Sequence, residues 1–245
     1  MSPPPSGLGP LVGPQKSAYV RDMFTAIAPK YDFLNHLLSL NIDRRWRRLV
    51  VQRLCWQASP TGSYLDLCSG TLDLAVQLAG TPGFRGRVVG ADFVIPMLEI
   101  GRRKAPEIPS VGADALRLPF PRGYFDGCTV GFGIRNLADV DAGLREIARV
   151  VKPGGRLVVL EFSTPTAWPI KSLYMFYFRH VLPLIGRLVS KHMTAYSYLP
   201  DSVGQFPDNH LFKLQMEANG FDDVRVERLT FGVASLYWGV VCDDR

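Results

Sequence analysis

Residues 63–73, SYLDLCSGTLD, decide the fold. The run from Ser63 to Leu67 has the length and apolar character of a buried strand, and the small residues after it predict a turn. A helical pattern follows from Asp73. The stretch therefore predicts a strand, a turn and a helix in succession, which is the unit that is repeated around a parallel sheet.

The same alternation continues to the C-terminus and predicts a doubly wound α/β fold. The further strands are predicted at Arg87–Ala91, Ser110–Ala113, Asp126–Val130, Arg156–Leu160, Val224–Phe231 and Ser235–Cys242. The last two, which Gly232 separates, suit an antiparallel hairpin. The clearest helices are Asp139–Val151, which we expect Gly154 and Gly155 to end, and His210–Asn219, which Gly220 stops.

The segments outside this alternation differ in composition. Residues 1–16 are rich in Pro and Gly and predict a disordered leader, whereas residues 17–60 carry apolar side chains at helical spacing and predict a helical N-terminal cap. The main domain then covers residues 61–245. An insertion near 165–200 combines aromatic, apolar and basic residues, which favours either a helical lid on the core or a surface that touches a bilayer.

Charge and cysteine content bound the partners and the compartment. A formal net charge of +6 favours an anionic partner, either nucleic acid or an acidic membrane surface. Charged residues, Pro or Gly interrupt every long apolar run, so no transmembrane helix is expected. The four cysteines show no C-x-x-C pair and no clustered His, and no secretory signal is evident, so we expect a cytoplasmic protein without a metal site.

Three carboxylates stand at the ends of successive predicted strands: Asp66, Asp92 and Asp114. Because carboxyl ends of parallel strands meet at one edge of a sheet, these side chains should border one crevice, and Gly70 lets a ligand approach the backbone. Carboxylates accept hydrogen bonds from hydroxyl and amino groups but repel a pyrophosphate, so the set favours adenosine. The alternative is that the three residues only cap turns and helices.

Several further motifs carry a resemblance to a known family. Residues 132–136 (FGIRN), 151–156 (VKPGGR), 160–163 (LEFS), 28–32 (APKYD) and 196–199 (YSYL) are similar to the UbiE/MenG C-methyltransferase pattern. The K-P-G-G element occurs in many methyltransferases, whereas F-G-x-R-N together with the tyrosine-rich insertion is much more specific. The similarity extends over nearly everything after residue 18.

This resemblance implies a Rossmann-like class I methyltransferase with a seven-stranded sheet and S-adenosylmethionine (SAM) as cofactor. The positions that match the family's cofactor site are Thr71, Asp92, Asp114 and Ala115, to which we add Asp66, Gly70 and Gly131. The implied substrate is a prenylated quinol, most simply 2-demethylmenaquinol, with the related ubiquinone precursor as an alternative. Peripheral contact with a membrane and a homodimer are further expectations.

We hypothesise that methylation requires an electron-rich ring carbon beside an ionised quinol oxygen. A phenol has a pKa of about 10, so a cation must stabilise the phenolate, and Arg135 is the candidate. Asn136 would fix the geometry and Tyr31 would orient the ring. The alternative for Arg135 is a structural salt bridge to a helix end.

Two positions depart from the family pattern. Leu72 stands in a turn that is commonly G-G-T-G-D, and Gly131 stands where serine is frequent. If position 72 is left-handed, Leu costs about 1–2 kcal/mol there and its side chain could crowd the methionine arm. This departure leaves open a non-catalytic scaffold, and the basic run at Arg44–Arg48 leaves open a nucleic-acid methyltransferase, although residues 131–134 (GFGI) lack the clamp for a flipped base. We expect no nucleic acid.

Overall fold

The computed structural model describes residues 13–32, 39, 41–177 and 193–243, and within 193–197 it describes the backbone only. Seven strands are found in this part of the chain: β1 (Ser63–Leu67), β2 (Arg87–Asp92), β3 (Ser110–Gly112), β4 (Phe125–Gly131), β5 (Val151–Phe162), β6 (Phe221–Leu229) and β7 (Ala234–Val241). They form one sheet in the order β3-β2-β1-β4-β5-β7-β6.

Strands β1 to β5 run parallel, while β7 lies antiparallel between β5 and β6. The predicted class, a mostly parallel seven-stranded sheet with an antiparallel C-terminal hairpin, is therefore confirmed. The chain leaves β1 toward β2 and β3 on one side and returns to β4 on the other. Such a reversal opens a crevice at the carboxyl ends of the neighbouring strands, here β1 and β4.

The helices of the described residues are α1 (Gly13–Ile27), α2 (Ile42–Arg53), α3 (Asp73–Ala79), α4 (Ile95–Lys104), α5 (Val140–Val150), α6 (Ile170–Phe176), α7 (Met193–Gln205) and α8 (Asn209–Ala218). Short 3-10 turns add Ala28–Lys30 and Ile134–Asn136. Helices α1 and α2 lie within or beside the predicted cap, and α6 and α7 lie within or beside the predicted insertion.

Helix α1 begins at Gly13, inside the predicted leader. The prediction of disorder is therefore wrong for residues 13–16. The physical reason is a tertiary contact that local composition cannot show: the ammonium of Lys16 donates to the carbonyl oxygens of Arg135 (2.8 Å) and Leu137 (2.7 Å). Residues 1–12 of the leader and residues 178–192 of the insertion lie outside the described residues.

Strand β5 begins at Val151 rather than at the predicted Arg156. Helix α5 ends at Val150 because Val151 is extended (φ −87°, ψ 141°) and pairs with Phe125 of β4. The expectation that Gly154 and Gly155 end the helix is thus wrong. Gly154 has a φ of 76° and lies within β5, where the register with β4 shifts before Arg156.

Two apolar layers cover the sheet, one on each face. Alternate residues of β5 enter opposite layers, with Leu157 and Val159 on one side and Val158 and Leu160 on the other. Because both faces are covered, the carboxyl edge is where polar side chains of the parallel strands can meet a ligand. None of the helices in the described part of the chain has the length and apolarity needed to cross a bilayer.

Candidate functional site

A cleft with two lobes lies at the carboxyl ends of β1 to β4. Lobe 1 is a cavity of about 50 Å³ and lobe 2 a cavity of about 40 Å³. Five residues border both lobes, which makes them parts of one cleft: Tyr31, Cys68, Gly70, Gly131 and Phe132.

The predicted site residues are distributed over this cleft with one exception. Lobe 1 is lined by Tyr31, Gly70, Asp92, Asp114, Ala115, Gly131 and Asn136. Lobe 2 is lined by Asp66 and Thr71, together with the shared Tyr31, Gly70 and Gly131. Arg135 lines neither lobe. The structure therefore brings nine of the ten predicted side chains or backbone positions to the cleft.

Asp92, at the end of β2, lines lobe 1 and accepts two backbone hydrogen bonds. One carboxylate oxygen accepts the N–H of Gly70 and the other accepts the N–H of Val94, each at 2.8 Å. Burial raises the pKa of Asp92, and the backbone donors act in the opposite direction. Each oxygen of a carboxylate can accept more than one hydrogen bond, so Asp92 retains capacity for hydroxyl donors.

Asp114 follows β3 and shapes its own turn. Its Oδ1 accepts the N–H of Leu116 at 2.9 Å, and its carbonyl accepts the N–H of Arg117 at 3.0 Å. The turn brings Ala115, which is buried, to the wall of lobe 1. Asp92 and Asp114 thus stabilise turns, as the alternative interpretation held, while both still face the cleft.

The turn after β1 has a left-handed backbone at Cys68 (φ 54°), Gly70 (φ 52°) and Leu72 (φ 68°). The side chain of Leu72 is fully buried and borders neither lobe. It packs between Gly90 of β2 and Gly101 of α4, where a Cβ on Gly101 would lie 2.7 Å from Leu72 Cγ. The expectation that Leu72 could crowd a ligand in the cleft is therefore wrong.

Asp66 lies beneath lobe 2 and is almost wholly buried. Its oxygens accept the N–H of Ala75 (3.0 Å) and the hydroxyl of Thr129 (3.1 Å), so the side chain joins β1 to α3 and β4. Burial raises the pKa of this carboxyl to about 7. Both observed contacts of Asp66 are made to the protein itself.

An ionic network includes Thr71 and Asp73, two residues that line lobe 2. The hydroxyl of Thr71 donates to Asp32 at 2.5 Å, and the ammonium of Lys104 contacts Asp32 (3.1 Å) and Asp73 (2.5 Å). Thr71, which is predicted to contact the cofactor, lines lobe 2. Its hydroxyl donates its hydrogen bond to Asp32, which belongs to the predicted N-terminal cap. Arg47 of α2 adds a second cation, 2.8 Å from Asp73.

Arg135 is buried behind the turn that follows β4. Its Nη1 contacts Glu161 of β5 at 2.5 Å and donates to the carbonyl of Phe132 at 2.6 Å, while its Nε donates to Ser202 at 3.3 Å. Burial raises the pKa of Glu161, and the neighbouring guanidinium opposes that shift. The structural salt bridge considered as an alternative for Arg135 is thus present, to a strand rather than to a helix end.

Asn136 connects this buried pair to lobe 1. Its amide Nδ2 donates to the carbonyl of Phe132 at 3.3 Å, and its Oδ1 accepts the hydroxyl of Tyr198 at 3.0 Å. Burial raises the pKa of Tyr198 to about 12, so the phenol keeps the proton that it donates. Two fixed partners therefore set the orientation of Asn136 at the wall of lobe 1.

Sequence reasoning missed two parts of the site. Helix α1 covers lobe 1 with Ser17, Val20 and Phe24, although part of this helix was assigned to the leader. Glu161, within the LEFS motif, is the partner of Arg135, and the sequence motif alone predicts no role for it. A polar residue inside the apolar run of β5 (VVLEF) was the available signal, because a buried carboxylate requires a compensating group.

The family and sequence comparisons with known proteins agree on one family. Residues 13–241 match the ubiE/COQ5 methyltransferase family. The chain is 46% identical over 231 residues to the ubiquinone/menaquinone biosynthesis C-methyltransferase UbiE of Geobacter sulfurreducens, covering 92% of this chain and 89% of the relative. It is 50% identical over 222 residues to the demethylmenaquinone methyltransferase of Thermus thermophilus, covering 89% and 99%.

Solved structures share the fold at lower identity. A SAM-dependent methyltransferase from Thermotoga maritima aligns with a TM-score of 0.62 at 18% identity, covering 89% of this chain and 98% of that one. The [4+2]-cyclase SpnF aligns with a TM-score of 0.64 at 16% identity, covering 96% and 100%. At this identity the likeness shows the fold alone.

Proposed function

The chain belongs to the ubiE/COQ5 methyltransferase family, and from that premise we propose that it methylates a ring carbon of a prenylated quinol, with demethylmenaquinol as the acceptor and SAM as the donor. The observation that carries the proposal is the cleft itself. It joins carboxylates at the ends of β2 and β3 to a turn after β4 that holds a buried cation. The choice of demethylmenaquinol follows the name of the relative at 50% identity.

The residues of the cleft fit the donor. Lobe 1 combines Asp92 and Asp114, which accept hydrogen bonds from hydroxyl and amino groups, with an apolar wall suited to a purine: Phe93, Val94, Met97 and Leu137. Lobe 2 is lined by charged side chains of both signs, which suits the amino-acid end of the molecule. When bound, SAM supplies an electrophilic methyl group on a positively charged sulfur.

Arg135 is proposed to favour the ionised form of the acceptor's ring hydroxyl. A guanidinium remains charged at any physiological pH. Because Arg135 lines neither lobe and is paired with Glu161, its charge is proposed to act on the ring oxygen across the turn after β4 rather than by direct contact. Glu161 and the Phe132 carbonyl hold the guanidinium in place. Asn136 is proposed to position the ring, and Tyr31, which borders both lobes, to orient it.

The alternative of a non-catalytic scaffold rested on Leu72. That side chain packs into the interior and borders neither lobe, so it gives no support to a member that has lost its donor site. The enzyme interpretation is therefore the one we retain.

Labelled methyl transfer tests the proposed function. The full chain is incubated with methyl-labelled SAM and either a prenylated demethylnaphthoquinol or the matching benzoquinol, under reducing conditions. We expect label in the naphthoquinol product, and we expect the oxidised quinone to accept little because it has no hydroxyl to ionise. Binding of SAM without transfer to either ring would contradict the proposed reaction.

We also propose that the insertion touches the cytoplasmic face of a membrane, from which a long-tailed quinol could enter. Three apolar side chains on or beside α6 are strongly exposed: Trp168 (82%), Leu173 (71%) and Phe176 (57%). Exposed aromatic and apolar groups next to a basic residue, here Lys171, are typical of interfacial segments.

Cosedimentation with anionic lipid vesicles tests this surface. We expect Trp168→Ala with Leu173→Ala to reduce vesicle binding by about tenfold while unfolding at the same denaturant concentration as the wild type. Leu211→Ala, at an exposed apolar residue of α8, is the matched control. Equal vesicle binding by all three proteins would exclude this surface.

A further inference from the structure

The two lobes of the cleft differ in charge. Among the described residues that line lobe 1, the charged side chains are Asp92 and Asp114, and none is cationic. Lobe 2 has Asp66 and Asp73 together with one cation, Arg47. A ligand that fills both lobes should therefore place neutral donor groups in lobe 1 and a group with a negative charge near Arg47.

Arg47 is held at the wall of lobe 2 by two carboxylates. Its Nη2 lies 2.9 Å from Asp43 on the same helix, and its Nη1 lies 2.8 Å from Asp73 at the start of α3. Asp43 is itself buried and accepts the hydroxyl of Ser39 at 2.7 Å. A guanidinium has five N–H groups in a planar fork, so these two contacts leave donors available.

We propose that Arg47 binds the α-carboxylate of the methionine end of the donor, while Asp73 stands beside it for the α-ammonium. This inference rests on the proposed function and adds a residue of the helical cap to donor recognition. The amino-acid end is a zwitterion, and the adjacent Arg47 and Asp73 offer one partner of each sign within the same lobe. An arginine suits the role because its fork can bind a carboxylate through two parallel hydrogen bonds.

Among the described residues Lys104 is a second cation near lobe 2, but its position suits a different role. Its ammonium contacts Asp32, Thr71 and Asp73, and it does not border the cavity. Lys104 therefore ties the cap to α3 and α4, whereas Arg47 faces the cavity. Lys104 thus has a structural position between the cap and the helices, and Arg47 is the cation that lines the cavity.

Paired ligands test the inference on the unaltered protein. Calorimetry of the full chain compares SAM with decarboxylated SAM, which keeps the sulfonium and the amino group and lacks only the carboxylate. We expect SAM to bind at least about tenfold more tightly, because a charge-assisted hydrogen bond is lost with the carboxylate. Equal affinity for the two ligands would overturn the proposal without any substitution in the protein.

A substitution series then assigns the effect to Arg47. In Arg47→Gln we expect the affinity for S-adenosylhomocysteine to fall about ten- to hundredfold, and the affinity for 5′-methylthioadenosine, which lacks the amino-acid end, to change by less than about twofold. Arg47→Lys keeps the charge without the planar guanidinium, and its affinity for S-adenosylhomocysteine should lie between those of the wild type and Arg47→Gln. Arg45→Gln removes the same charge from an exposed position of α2 and should leave both affinities unchanged.

The outcomes separate the two proposals. If Arg47→Gln weakens both ligands equally, or neither, Arg47 does not recognise the carboxylate and this inference fails while the donor site stands. If the wild type binds neither S-adenosylhomocysteine nor 5′-methylthioadenosine, the proposed function fails as well. Because 5′-methylthioadenosine reports on the adenosine lobe within the same variant, retained binding also shows that Arg47→Gln has folded.

Discussion

The turns after β1 and β4 lie side by side at the carboxyl edge of the sheet, yet they are built in opposite ways. The β1 turn presents backbone to the cleft and directs Leu72 into the interior between two glycines. The β4 turn buries a charge: Arg135 turns inward to Glu161 and leaves Asn136 at the cavity wall. One turn is limited by packing and backbone conformation, the other by charge compensation.

This difference predicts which substitutions each turn tolerates. In the β1 turn a change at Leu72 should alter stability and leave ligand binding intact, because this side chain borders neither lobe. In the β4 turn a change should expose the cost of an unpaired buried charge and remove the proposed stabilisation of the phenolate. Each of the following substitutions tests one side of this contrast.

The largest effect is expected at the Arg135–Glu161 pair. Glu161→Leu leaves the guanidinium buried without its partner, which should lower the free energy of unfolding by about 3–5 kcal/mol. Arg135→Met combined with Glu161→Leu removes both charges and should recover most of that loss. Urea unfolding measures both.

The same double variant separates structure from chemistry. If Arg135 stabilises the phenolate, the double variant should bind S-adenosylhomocysteine normally and show no methyl transfer despite its restored stability. Normal transfer by the double variant would leave Arg135 with a structural role alone. A double variant as unstable as Glu161→Leu would show that the lost ion pair is not the source of the instability.

A pH-dependent effect is expected at Asp66, at the end of β1. The pKa of Asp66 is raised from 3.8 to about 7 in the folded protein, so the folded protein loses this proton at a higher pH than the unfolded chain does. The contribution of Asp66 to stability is therefore fully present below pH 4 and is lost as the pH rises through 7. In Asp66→Asn the amide oxygen can accept the Ala75 N–H and the NH2 group can donate to Thr129, without a titration.

The free energy of unfolding of Asp66→Asn minus that of the wild type should accordingly rise by about 4 kcal/mol between pH 4 and pH 8. Comparing the two proteins at each pH cancels the titration of all other groups. A difference that stays constant over this range would mean that Asp66 titrates normally in the folded protein.

A smaller effect is expected at Leu72. Leu72→Gly removes the strain of a left-handed backbone, which stabilises the protein by about 1 kcal/mol. It also leaves a cavity, which destabilises the protein by about 3 kcal/mol. The free energy of unfolding should therefore fall by about 2 kcal/mol. Affinity for S-adenosylhomocysteine should stay within about twofold of the wild type. A marked change in affinity would contradict the separation of packing from binding in the β1 turn.

A companion substitution checks the cause. Gly101→Ala places a methyl group against Leu72 and should destabilise the protein by itself. The double variant with Leu72→Gly should lose less free energy of unfolding than the sum of the two single losses. The reason is that the added methyl group occupies part of the space that the leucine side chain leaves. Strict additivity would show that the two positions are not in contact.

The contrast between the turns also explains what the sequence could predict. Strand β1 was predicted at its observed limits, and the carboxylates at the ends of β2 and β3 were placed correctly, because strand length and the edge of a parallel sheet are local and topological rules. Leu72 was misjudged because the space for its side chain comes from Gly90 and Gly101, which are distant in sequence.

The β4 turn was predicted in part for a similar reason. The F-G-x-R-N motif identified Arg135 and Asn136, but no local pattern shows that Glu161 of another strand would pair with the arginine. Helix α1 was placed too late because its start depends on Lys16 reaching the carbonyls of residues 135 and 137. Both contacts join residues that are far apart in the sequence: one pairs two buried charges, and the other satisfies two backbone carbonyls. Local composition and spacing do not show which distant residues will meet in this way.

Lys16 gives the smallest and most specific effect. It fastens α1, which covers lobe 1, to the carbonyl groups of Arg135 and Leu137 in and just after the β4 turn. Lys16→Met keeps the apolar stem and removes the ammonium, so the helix should still pack but open more often. We expect S-adenosylhomocysteine to dissociate about threefold faster, with little change in its association rate.

The control is Arg21→Gln, which removes a charge from an exposed position of the same helix. Stopped-flow dissociation distinguishes the two variants, since only the loss of Lys16 frees the carbonyls of the β4 turn. If both variants release the ligand at the wild-type rate, the cover over lobe 1 is held by the packing of Val20 and Phe24 alone. The β4 turn would then act on the cleft through its buried ion pair and Asn136, without a contribution from α1.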